Sequence, residues 1–430
     1  MKKIISAFTL AFTLVSCTGN GGDGFWRVED GHFRRGSEDS VYFIGTNMWY
    51  APILLSDTES ADPDRLYAEL DTLKSMGVTN LRVLAGADEN EGMPFRVEPA
   101  LQKSPGVYDE NVFVGLDRFL AEIGKRGMSA VIYLNNSWLW SGGFSKYLEW
   151  SGGGTITEDA PWEEYMTYAS RFVMNEKAKA MADDNIRHIV TRVNTVTGKP
   201  YKDDQAIFSW QICNEPRCFS TDDSVKTAFS EWLWHSAALI KSLDPNHLVS
   251  TGSEGWYGCE ADMNLCEKIH SCPDIDYLTM HIWPFNWGWA HKETLDSDMG
   301  TSIKKTEEYM SMHIDLARKL GKPLVMEEFG FPRDGVQFSK GSSVELRDEY
   351  YSYVFGKVVE SARSGGPLAG TNFWAWGGFA GQSEDNVFWH RGDERCGDPP
   401  QEQQGLYSVY HSDSTTVSLI KKFTTMLNDI

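Results

Sequence analysis

Short runs of β-branched and aromatic residues, each closing on polar residues, alternate along the chain with stretches whose apolar residues recur at helical spacing. The runs lie at 41–47 (VYFIGTN), 79–85 (TNLRVLA), 129–136 (SAVIYLNN), 206–215 (AIFSWQICNE), 247–254 (HLVSTGSE), 275–283 (IDYLTMHIW), 323–330 (PLVMEEFG) and 370–376 (GTNFWAW). Helices are predicted over 62–77, 111–126, 171–194, 224–242, 301–320, 344–363 and 415–427. In the first of these, Leu66, Leu70 and Leu73 share a face, Asp62 before Pro63 marks the start and Gly77 the stop. After 247–254 a Cys-rich loop stands in place of an obvious helix. Strands alternating with helices predict a parallel sheet. Eight such units in 430 residues predict an α/β fold, a TIM (β/α)8 barrel with long loops at the C-terminal face of its strands. A doubly wound open sheet is the alternative, but no Gly-rich nucleotide turn follows the first strand. FWRVEDGHFRRG (25–36) reads as a small hairpin closing the barrel bottom. With no internal repeat or interior linker, 25–430 is read as one domain.

The first residues are of a different kind. Lys2 and Lys3 precede an apolar run, Ile4 to Val15, too short for a membrane span, so 1–16 read as a secretory signal. The run ends in LVSC, which resembles a bacterial lipobox and marks Cys17 for lipidation; 17–24 is then a Gly-rich tether. The expected location is outside the cytoplasm, on a bacterial membrane through a lipid anchor. Export makes disulfides possible, and the cluster Cys259, Cys266 and Cys272 is expected to hold at least one.

A net charge of −21 argues against nucleic acid or an anionic membrane surface as partner, since both need a basic face. The 16 Trp are more than an ordinary core calls for and suit sugar faces or an apolar cleft. No HExxH, CxxC pair or His cluster points to a metal, and no cofactor is expected.

The strand ends carry the chemistry. They offer Asn47 with Trp49 and Tyr50, Arg82, Asn135 and Asn136 with Trp138, Asn214 and Glu215, Ser253 and Glu254, His281 and Trp283, Glu327 and Glu328, then Trp374 and Trp376. A barrel would bring these together, and acids, amides, Arg, His and Trp are what a sugar site needs. On the fourth strand, alternation puts Ser209, Gln211, Cys213 and Glu215 inward and turns Phe208, Trp210 and Ile212 toward the helices. On the seventh, Glu328 would go with Met326 and Leu324, and Glu327 with Val325; both faces are apolar, so alternation does not choose between the two acids.

The ordered set YFIGTN, LRV, YLNNSWLWSGG, QICNEPRC, HIWPFNW, KPLVMEEFG and GTNFWAWGG resembles glycoside hydrolase family 5, and within it the endo-β-1,4-mannanases, over nearly all of 33–430. The resemblance implies retaining hydrolysis of β-mannan, with Glu215 as acid/base and Glu328, before Phe329-Gly330, as nucleophile. It implies substrate-site roles for Arg82, Asn136, Trp138, Asn214, Arg217, His281 and Trp374, Arg82 and His281 keeping Glu328 ionised. Many relatives carry Tyr where this chain has Trp283, whose indole can donate a hydrogen bond but neither accept one nor titrate. A β-1,4-glucanase of the same family, or a surface glycan-binding lipoprotein without catalysis, are the alternatives. A monomer is expected.

Overall fold

The computed structural model describes residues 24–430 apart from 39, 90, 91, 158 and 382–386. The signal segment, Cys17 and the tether up to residue 23 lie outside the described residues. Eight parallel strands form the central sheet: Phe43–Asn47, Asn80–Leu84, Ser129–Tyr133, Ile207–Gln211, Leu248–Ser250, Leu278–Ile282, Leu324–Phe329 and Leu368–Phe373. Numbered one to eight, they neighbour one another in the order five-four-three-two-one-eight-seven-six. Strands five and six are joined by Asp276 N–H to Val249 O (2.8 Å) and Thr279 Oγ1 to Ser253 O (2.7 Å), which brings the sheet round into a barrel. This is the expected TIM architecture.

The helices follow the predicted order: Pro63–Ser75, Glu110–Lys125, Glu176–Val190, Asp223–Leu243, Met299–Leu320, Glu345–Ser364 and Ser414–Asn428. Asp62 caps the first, its side chain accepting from Arg65 N at 3.1 Å, a contact worth about 1 kcal/mol. The Cys-rich stretch after strand five does form a helix, Met263–His270, capped by Asp262 with Leu265 and Ile269 on its buried side. The loop after strand three adds two more, Gly143–Trp150 and Trp162–Ala169. Cys259 and Cys266 lie within hydrogen-bonding contact, but all six described cysteines are free thiols, so the expected bridge is not formed. Among the described residues, no helix is long and apolar enough to cross a membrane.

Two bulges decide what faces inward. The register between strands three and four steps from Ala130–Ile207 to Val131–Ser209, leaving Phe208 as the extra residue. Phe208 consequently does not turn toward the helices. It packs at 5.0 Å from Phe33, 5.7 Å from Phe43 and 5.9 Å from Tyr277, in an apolar floor that the hairpin of Trp26–Glu29 and His32–Arg35 covers with Trp26 and Phe33. Trp210 does face outward, its indole donating to Asp244 at 2.7 Å. The second bulge lies between strands six and seven, where Met280 pairs with Met326 but His281 pairs with Glu328. Glu327 is the extra residue there, so both adjacent glutamates reach the interior.

Above the barrel, Arg333 and Arg347 are fully buried and share Asp413: Arg333 donates to both its oxygens at 3.0 and 2.6 Å, and Arg347 approaches Oδ2 at 3.3 Å. This ties the segments after strands seven and eight together.

Candidate active site

At the C-terminal end of the strands a cavity of about 780 Å³ is lined by Glu215, Glu328, Asn214, Trp138, Trp283 and Trp374, among others. The two bulge-side glutamates divide here. Glu327 points below the cavity, accepting from Gln211 Nε2 at 2.5 Å and Tyr277 Oη at 3.1 Å, with Arg82 Nε at 3.7 Å. Glu328 lines the cavity and takes Arg82 Nη1 on Oε1 at 2.5 Å. The strand-seven question that alternation left open is thus one of layers: both acids are interior, and only Glu328 meets the cavity.

Arg82 has no exposed surface and does not line the cavity. Its remaining donors go to Gln211 Oε1 (2.8 Å), Asn47 Oδ1 (3.0 Å) and Asn214 Oδ1 (2.7 Å). One guanidinium therefore fixes an acid of strand seven and the amide beside the acid of strand four, a rigid fork suited to that task. Asn136 also stands behind the wall. It accepts from Asn214 Nδ2 at 3.1 Å and from Trp138 N at 3.0 Å, and so orients two residues that do reach the cavity.

Glu215 is not a strand residue. Strand four ends at Gln211, and Glu215 sits in a bend with φ of 47°, so strand alternation is not what aims it. Such a conformation costs a non-glycine residue on the order of 1–3 kcal/mol. The bend is held on both sides: Glu215 N–H donates to Gly252 O at 3.0 Å, and its carbonyl accepts from Ser137 Oγ. Gly252, at φ of 78°, lets strand five come this close; a Cβ there would stand 1.9 Å from Cys213 O.

The Glu215 carboxyl accepts from Trp138 Nε1 at 2.5 Å and is paired with His281 Nδ1 at 2.7 Å; Trp283 donates to it as well. His281 is expected from the resemblance to serve Glu328, but it lies nearer Glu215, with Glu328 Oε2 at 3.4 Å. Burial drives its pKa well below the ordinary imidazole range, with Arg82 adding to this, so it stays neutral between the two acids. Trp283, which packs at 5.9 Å from Trp374 and 4.9 Å from Tyr407, thus serves Glu215.

Burial raises both carboxyls, and for Glu328 the adjacent Glu215 adds to the effect. Glu328 is raised the further of the two, against the pull of the Arg82 guanidinium in contact with it. Glu215 has no guanidinium in contact: Arg217 is turned to Glu254, donating Nη2 to Oε1 at 2.6 Å and Nε to Oε2. Among the described residues, Glu215, His281 and Glu328 also form the one group with ligand atoms close enough for a metal ion, all within 4.8 Å of one another. Arg82 already neutralises Glu328, so the set reads as an acid pair and not as a cation site.

Trp49 and Tyr50 are buried away from the cavity, bonded to Gly397 O (2.9 Å) and Trp376 O (3.0 Å). The cavity also takes in residues outside the sequence-derived set: Trp162, Glu254, Asn286, Trp287 and Glu402. Of these, only Glu254 stood at a strand end; Trp162 opens a short helix and the others come from loops, where no period marks them.

A family model described as glycoside hydrolase family 5 β-mannosidase-like matches residues 23–430. The chain belongs to glycoside hydrolase family 5. Its fold and acid pair make it a glycoside hydrolase. Among curated relatives of this family 5 enzyme, mannan endo-1,4-β-mannosidase 1 of Arabidopsis thaliana is 32% identical over 352 residues, covering 78% of each chain. A putative mannan endo-1,4-β-mannosidase 9 of Oryza sativa subsp. japonica is 33% identical, covering 81% of this chain and 82% of that one. The crystal structure of a family 5 mannosidase from Rhizomucor miehei superposes with a TM-score of 0.85 at 33% identity, over 95% of this chain and 98% of that one. The endo-β-1,4-mannanase of Thermotoga petrophila gives 0.65 at 26%, over 90% and 77%.

Proposed function

We propose that this family 5 hydrolase is an endo-β-1,4-mannanase that cuts internal bonds of mannan, glucomannan or galactomannan with retention of configuration. Glu328 is the nucleophile and Glu215 the acid/base. The observation that carries the reading is the approach of carboxyl oxygens of Glu215 and Glu328 to within 4.8 Å. Retaining enzymes hold their carboxyls about 5–5.5 Å apart, whereas inverting ones leave roughly 6.5–9.5 Å for a water. The curated relatives support mannan as the polymer.

In the first step Glu328 attacks the anomeric carbon while Glu215 gives its proton to the leaving oxygen. Esterification removes the charge on Glu328, so the pKa of Glu215 falls and the carboxylate can take a proton from water in the second step. Asn214, fixed by Arg82 and Asn136, is placed to bond the 2-hydroxyl of the sugar being cleaved. Trp374, on the wall beyond Glu328, forms the floor beneath that sugar. Two-carboxyl chemistry calls on no metal or organic cofactor.

A second reading, release of single mannose units from chain ends, is favoured by the higher TM-score to the protein described as a mannosidase than to the Thermotoga petrophila endo-mannanase. Mannohexaose labelled at its reducing end separates the two. Internal cleavage gives labelled biose to tetraose among the first products, whereas mannose with labelled mannopentaose as the only early products would replace the endo reading with the exo one. Faster turnover of carboxymethylcellulose than of glucomannan would move the enzyme to the glucanases.

Under the same reading, residues 1–16 are removed and Cys17 carries the lipid that holds the enzyme to a membrane. Cys17→Ser is expected to release the protein from the membrane fraction on detergent-free extraction. An unchanged distribution would end the anchor reading.

A further inference from the structure

We infer that Trp162 forms a distal sugar platform on the leaving-group side of the cleft and sets how strongly the enzyme depends on sugars beyond the scissile bond; this rests on the assignment of Glu215 as acid/base. Trp162 opens the helix Trp162–Ala169 in the loop after strand three and lines the cavity while 52% exposed. It is packed on Tyr165 and Phe219 on its inner side and keeps the rest of its ring open to the cleft.

The Trp162 indole lies 5.3 Å from that of Trp138 at an interplanar angle of 27°, and Tyr165 continues the stack 6.1 Å from Trp138 at 25°. Phe219 meets Trp138 edge-on at 5.5 Å and locks it from the side. The stack begins at the reaction centre, because Trp138 donates directly to the Glu215 carboxyl. The order outward is therefore proton donor, Trp138, Trp162. An acid/base stands beside the oxygen of the departing sugar, so aromatic surface extending outward from it runs under the departing chain. The opposite wall belongs to the other acid: Trp374 N–H donates to the carbonyl of Phe329, the neighbour of Glu328.

The chemistry fits a pyranose. Flat aromatic faces take the apolar C–H face of a sugar ring, and they do so without demanding charge. The ligand class is a neutral β-linked hexose of the leaving portion of the polymer. Trp162, the half-exposed member of the stack, is the one that offers such a face to the cleft.

The test compares two substrates whose glycone is the same length but whose leaving groups differ: mannopentaose, which places sugars on this wall, and an aryl β-mannobioside, which places none. In Trp162→Ala the ratio of kcat/KM for mannopentaose to kcat/KM for the aryl substrate should fall by about tenfold, mainly through KM. Trp162→Tyr, which keeps a ring, should restore most of it. A ratio equal to that of the wild type in Trp162→Ala would overturn the inference, as would equal losses on both substrates, which mark a structural role. A wild-type enzyme that cleaves neither substrate would overturn the mannanase reading, and this inference with it.

Discussion

Glu328→Gln is expected to lower kcat/KM on glucomannan by about 10⁴-fold or more with the fold intact, and Glu215→Ala to do so on unactivated substrate. The amide keeps the shape of Glu328 and its contact with Arg82 but cannot attack carbon. Azide should partly rescue Glu215→Ala on an activated substrate, since the covalent intermediate still forms there and lacks only a base for water. Glu327→Gln should cost far less. It keeps bonding partners for Gln211 and Tyr277, and the side chain it replaces does not line the cavity. Inactive, correctly folded Glu327→Gln beside fully active Glu328→Gln would reverse the assignment. The pH profile follows from the same geometry. Activity needs Glu328 ionised and Glu215 protonated, so kcat/KM falls on the acid side as Glu328 takes up a proton and on the alkaline side as Glu215 loses one. Burial raises Glu215, with Arg217 and the Trp138 N–H pulling back. The alkaline limb should therefore lie above the ordinary glutamate value of about 4.3. It should vanish from the azide-rescued reaction of Glu215→Ala.

The second large effect is on stability. Asp413→Ala leaves Arg333 and Arg347 buried together with no carboxylate between them. Breaking a buried pair from one side costs about 3–5 kcal/mol, because the charge left behind is neither solvated nor paired. Arg347 already has its pKa lowered by burial and by Arg333, so removing Asp413 worsens an existing strain between two like charges. Urea denaturation of Asp413→Ala should show an unfolding free energy lower by that amount, through a lower midpoint at unchanged slope. A change under about 1 kcal/mol would mean that the carbonyls of Ser408, Gly405 and Phe331 carry the two guanidiniums unaided.

Where the sequence was informative, its period matched the geometry. All eight strands and seven helices stand within a few residues of their expected places, because each has a sustained apolar pattern and most have caps such as Asp62. The short helix Met263–His270 carried a signal too, in Asp262 and the pair Leu265 and Ile269, but its eight residues are few for a period to assert itself. Alternation failed at the bulges. It sent Phe208 outward, and it could not separate Glu327 from Glu328, because an inserted residue changes the phase without changing the composition. It reached inward Glu215 by an argument that does not apply, since the strand stops four residues earlier and a left-handed bend does the aiming. The cysteines misled for another reason: clustering in sequence brought Cys259 and Cys266 together without bonding them. Trp162, at the start of a short helix within a long loop, and Glu402, in a loop, had no signal at all.

The bulge at Glu327 has a consequence for comparing this chain with its relatives. Two identical letters stand side by side, one a buttress and the other on the cavity wall, and only the extra residue in strand seven tells them apart. A comparison that slides this strand by one position still sets a glutamate of this chain at the place of the other, and it exchanges their roles. Hydrogen-bond partners, Arg82 on one acid and Tyr277 on the other, tell the two apart where the letters do not.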